Sequence, residues 1–114
     1  MSSPQEKPDF AEVDSIEKAI VLADQDILHK IFLLPLEFGG KDEPANSIYV
    51  PSGVPEVQAH IINSLIDFLD KGLINKLKVG IDHKGDSKVP SRIRIRAWHT
   101  EKEGGGFYPN IDIW

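Results

Sequence analysis

Three runs in the last third of the chain alternate apolar and polar residues with period two, and this constrains the fold most. Leu77, Val79 and Ile81 alternate with Lys78, Gly80 and Asp82. Ile93, Ile95 and Ala97 alternate with Arg92, Arg94, Arg96 and Trp98, and Ile111 and Ile113 with Asn110, Asp112 and Trp114. Successive side chains on a strand point to opposite faces, so such runs predict a sheet with one buried face and one wet face. The links at 84–90 and 100–106 are polar and contain glycine, as hairpin connections should.

The remainder supplies the cover for that sheet. Pro55 suits the first turn of a helix, Glu56 suits its positive end, and Val57, Ile61, Leu65, Phe68 and Leu69 form an apolar stripe. Lys71 and Gly72 then end it, which predicts a helix over residues 55–71. A shorter helix is expected over 15–24, where Asp14 and Glu17 read as a capping box before Ile16, Ala19, Ile20 and Ala23. Residues 27–34 are apolar apart from His29 and Lys30. Their Ile, Phe and Leu content before Pro35 favours a buried strand, with continuation of the first helix as the alternative. A second short strand is expected at 47–50. The fold class is therefore α+β, in the order α-β-β-α-β-β-β. Its economical form is a largely antiparallel sheet of about five strands with two helices on one face. Residues 1–13 read as a flexible tail and 14–114 as one domain.

The stretch 31–51 closes the first strand and holds the second, and the connection that joins them is the most specifically worded part of the chain. The glycine pair Gly39-Gly40 follows LPLEF, and the polar loop that comes next carries Asp42, Glu43, Pro44 and Asn46. Glu37, Asp42, Glu43 and Asn46 are one set of candidate contact residues, since loops of defined wording carry function. Calcium is not indicated, because the spaced ligands of a calcium loop are absent, and no partner group suggests acid–base chemistry for these carboxylates.

A second candidate surface is the row Arg92, Arg94, Arg96 and Trp98, which shares one face of one strand, with Lys76 and Lys78 added from the neighbouring strand. A flat basic surface with an aromatic is how sheet proteins take single-stranded nucleic acid. Its bland counterpart is cross-strand pairing with Asp82, Asp112 or Glu101. The chain as a whole has a net charge of −5, with local nets of −4 over 1–30, −4 over 31–75 and +3 over 76–114. That balance makes nucleic acid the less favoured partner and gives the surface two electrostatic characters.

Catalytic signatures are missing. With no cysteine, a thiol nucleophile, a disulfide framework and a zinc–thiolate site are excluded. His29, His60, His83 and His99 fall in four different elements without metal spacing. The Gly104-Gly105-Gly106 run lacks the context of a phosphate loop, and no serine sits in a GxSxG elbow. No cofactor and no enzyme activity are expected. The polar first twelve residues and the absence of any run near the roughly 20 apolar residues of a membrane span point to a soluble, cytoplasmic protein.

The succession of an apolar run, LPLEFGG, an acidic loop, NSIYVP and an amphipathic helix, with VPSRIRIRA and the terminal IDIW, resembles small acidic bacterial proteins of the immunity type, encoded beside secreted polymorphic toxins. The resemblance runs from Ile27 onward and rests on structural turns. It implies a folded single domain that binds a toxin and covers its active site without catalysis. Where the toxin is a basic nuclease, it implies contact through the acidic loop, here Glu37, Asp42 and Glu43. Trp114 and the strand-rich C-terminal segment offer another role, an exposed edge pairing with a second copy in a homodimer.

Overall fold

The computed structural model describes residues 9–114. Along the chain run α1 (Ile16–Asp24), β1 (Leu28–Phe32), β2 (Ser47–Pro51), α2 (Val54–Asp70), β3 (Lys76–His83), β4 (Pro90–Trp98) and β5 (Asn110–Asp112). Two 3-10 turns, Leu36–Phe38 and Pro44–Asn46, sit in the β1–β2 connection.

The five strands do not form one sheet. β1 and β2 make a two-stranded antiparallel ribbon, while β3, β4 and β5 make a three-stranded antiparallel sheet with β4 in the centre. Nor do the helices share one face. On the ribbon, Ile31, Ile48 and Val50 enter a core with Val54, Ile61, Leu65 and Phe68 of α2. Leu28 and Tyr49, on the opposite face by alternation, pack with Ala19, Leu22 and Ala23 of α1. Each face of the ribbon thus carries one helix. The reason lies in β1 itself, where Leu28 and Ile31 are both buried but have opposite parity. A strand that is apolar on both sides needs cover on both sides.

The larger core continues from the ribbon and α2 onto the inner face of the three-stranded sheet, through Ile93, Ile95, Ala97 and Ile111. The smaller core is closed by Phe10, Val13 and Val89, with Ile113 and Trp114 against it. Asp9 to Val13 is therefore not a tail. Phe10 and Val13 are buried, Lys88 N–H donates to the Val13 carbonyl at 2.6 Å, and Ser87 Oγ donates to the Phe10 carbonyl at 2.7 Å. The domain reaches back at least to Phe10. The remainder of the expected tail, residues 1–8, lies outside the described residues.

Local chemistry explains the element ends. Ser15, not Asp14, caps α1, its hydroxyl accepting from Lys18 N–H at 3.2 Å, while Asp14 pairs with the Lys18 ammonium at 2.8 Å. A hydroxyl one residue closer to the helix serves the first-turn donors, and the carboxylate is released to the i,i+4 cation. At the other end Asp26 adopts φ 59°, and Ile27 N–H donates back to the Leu22 carbonyl at 2.9 Å. That closing pattern stops the helix and lets residues 28–32 run as a strand. Gly72, at φ 71°, ends α2 in the same way, with Leu73 N–H on the Phe68 carbonyl.

Candidate functional site

The β1–β2 connection is built around Asn46. Its Oδ1 accepts from Leu34 N–H at 2.7 Å, and its Nδ2 donates to the carbonyls of Leu34 at 2.9 Å and Lys41 at 3.0 Å. Gly40 passes so close that a Cβ there would lie 1.8 Å from the Leu34 carbonyl oxygen, and Gly39 turns the chain at φ 90°. The wording of this loop is thereby explained: the glycines and the asparagine fold it. Asn46, expected at a contact surface, spends its amide inside the loop.

The acidic residues are displayed by this frame. Asp42 and Glu43 are exposed and sit just before the Pro44–Asn46 turn, with Asp42 3.4 Å from the Lys30 ammonium. They line a surface depression of about 290 Å³ together with Ile16 and Ile20 of α1, Lys30, Pro44, Ser47 and Tyr49. Ile16 is 47% and Ile20 41% exposed, which is high for isoleucines one helical turn apart. Glu37, on the Leu36–Phe38 turn, is exposed but not part of this depression. The structure thus brings Asp42 and Glu43 together with two apolar residues of α1 that the sequence showed only as part of the helical period. The available signal was weak. Ile16 and Ile20 follow the helical period, but Ala19, Leu22 and Ala23 already fill the buried face of so short a helix.

The basic row is in place on the outer face of the three-stranded sheet. Register sets Lys76 opposite Trp98, Lys78 opposite Arg96, Gly80 opposite Arg94 and Asp82 opposite Arg92. Its charges are largely answered within the sheet. Arg92 pairs with Asp112, and Arg94 pairs with Asp82 at 3.1 Å. Arg96 donates to Asn110 Oδ1 at 3.1 Å and to the Ile95 carbonyl at 2.7 Å. Gly80 leaves room for the Arg94 guanidinium to lie over the strand, since a Cβ there would meet it at 3.2 Å. Arg92 and Arg94 are paired and Arg96 is tied to Asn110 and a carbonyl, so Trp98 is flanked by few uncommitted cations. Lys76 and Lys78 are the exposed bases of the row without a salt bridge among the described residues.

Among the described residues no group of three or more His, Asp or Glu is placed to hold a metal ion, and no helix is long and apolar enough to cross a membrane. Trp114 is tucked in, its indole N–H donating to the Val89 carbonyl at 3.1 Å and its ring edge-on to Phe10. Compared with known proteins, the chain matches no family model, no curated protein and no solved structure.

Proposed function

We propose that this chain is a non-enzymatic protein-binding domain of the immunity type, acting in the cytoplasm by covering a basic partner such as a secreted toxin. The observation that carries the reading is the shared wall of the depression, where Asp42 and Glu43 stand beside the exposed Ile16 and Ile20. Interfaces draw most of their binding energy from a few apolar anchors enclosed by a polar rim. Carboxylates at the rim speed encounter with a basic surface, while the isoleucines, once covered, set the lifetime of the complex. The Asn46 clamp keeps the loop in one shape before binding, which lowers the ordering cost.

Single-stranded nucleic acid on the Arg92, Arg94, Arg96 and Trp98 face is the weaker reading, because the arginines are already engaged by Asp82, Asp112 and Asn110. The test is retention of partners from lysate of the source organism on the tagged protein, run beside two variants. One stoichiometric protein, lost on Asp42→Lys with Glu43→Lys and kept on Lys76→Gln with Lys78→Gln, supports the proposal. Equal retention by all three proteins, or recovery of nucleic acid in place of a protein, overturns it.

A further inference from the structure

The three-stranded sheet has an unusually long edge. β3 spans Lys76–His83, pairs with β4 alone, and among the described residues gives no backbone hydrogen bond to any other element. On its inner side Leu77, Val79 and Ile81 are only half-buried, whereas the β4 residues opposite them, Ala97, Ile95 and Ile93, are fully buried. Such an edge is a template for another strand.

Hydrogen-bond parity says which groups it offers. In β4, Ile95 N–H donates to the Pro109 carbonyl and Ala97 N–H to the Phe107 carbonyl, so the odd-numbered residues of β4 face the β5 side. The even-numbered ones therefore face β3, whose residues opposite them are Lys76, Lys78, Gly80 and Asp82. That leaves the N–H and C=O groups of Leu77, Val79 and Ile81 pointing outward.

The geometry points to a second copy of this chain as the occupant, with β3 pairing antiparallel to its own counterpart about a two-fold axis at Val79. The pairing with β4 shifts register between Asp82 and His83, so the regular stretch is 76–82 and Val79 is its centre. In this register the outward groups of Leu77, Val79 and Ile81 meet Ile81, Val79 and Leu77 of the other copy as hydrogen-bonded pairs. On the wet face Lys76 falls opposite Asp82, twice by symmetry, and Lys78 opposite Gly80. Other registers are worse. An axis at Lys78 sets that lysine against itself, and an axis at Gly80, although it sets Lys78 against Asp82, also sets Lys76 against Lys84. Only the axis at Val79 sets Lys76 against a carboxylate with no lysine opposite a lysine, and that carboxylate, Asp82, is shared with the Arg94 guanidinium 3.1 Å away in its own chain. The product is a continuous six-stranded antiparallel sheet.

Because the chain lacks cysteine, register can be read directly. Lys76 and Asp82 of opposing copies would form a non-hydrogen-bonded pair with Cα atoms about 4.5 Å apart, within disulfide range. Within one chain the same two residues are about 20 Å apart along the strand. Lys76→Cys with Asp82→Cys should therefore give a covalent dimer on mild oxidation, while either single substitution should not. Sedimentation of the unmodified chain should show a dimer that grows with concentration, and Lys76→Glu should raise its dissociation constant roughly threefold to tenfold. A monomer at every concentration with no crosslink in the double variant overturns the proposal. So does a dimer indifferent to Lys76→Glu and uncrosslinked by the paired cysteines.

Discussion

Asn46 shows how much a single side chain can decide. It closes the β1–β2 connection with three hydrogen bonds to backbone groups of Leu34 and Lys41. Asn46→Ala strands those groups, two of them part-buried, and should lower the unfolding free energy by about 2–3 kcal/mol. Urea denaturation should show an earlier midpoint at unchanged slope, and an unchanged midpoint would mean that the clamp contributes nothing. In the sequence Asn46 read as a contact residue of a polar loop, not as the clamp that folds it. Its role depends on Leu34, twelve residues away, and local pattern does not report such a contact. Asp14 was misread on similar grounds, because Asp14 and Ser15 are both competent caps and only geometry separates them. The hydrogen bond and charge of Lys18 hold the Asp14 carboxyl below its usual range, and Asp14 correspondingly raises Lys18. A lowered acid stabilises the fold above the ordinary carboxylate pKa of about 3.9, and that contribution disappears as pH falls through its folded value. Asp14→Asn should flatten the acid limb of a stability–pH curve slightly, since both groups are exposed and screened. A steeper acid limb would contradict the pairing.

Among elements, the helices and strands with a strong period were legible, and their association was not. Helix α2 was expected over 55–71 and runs Val54–Asp70, and the alternation in residues 77–97 became β3 and β4. β1 was readable as a strand, but its two-sided burial means that one helix cannot cover it. The single sheet with both helices on one face fails there. The N-terminal segment was the larger miss. Phe10 and Val13 stand among prolines and charges, without period, yet they complete the smaller core against Ser87, Val89 and Trp114. A chain starting at Asp14 loses both residues and exposes Ala19, Leu28 and Val89. It should be less stable by about 3–5 kcal/mol, read from thermal unfolding. Equal stability would show that the segment only rests on the domain.

For the whole molecule, the charge polarity of the sequence resolves into two surfaces of different character. The basic third forms a sheet face whose arginines are mostly answered by Asp82, Asp112 and Asn110. The acidic region presents Asp42 and Glu43 beside exposed isoleucines on the far side of the ribbon from α2. The candidate loop could be read from the sequence because proline, glycine and acidic residues mark it. The apolar half of the site could not, since an isoleucine at helical spacing looks the same whether it faces a core or the surface. In the proposed interface charge governs encounter and apolar contact governs lifetime, and binding kinetics with the retained partner tell the two apart. Asp42→Lys with Glu43→Lys should slow association about tenfold or more at low salt and flatten its salt dependence. Ile16→Ser with Ile20→Ser should leave association nearly unchanged and speed dissociation about tenfold or more. Unchanged rates in both variants would place the binding surface elsewhere on the molecule.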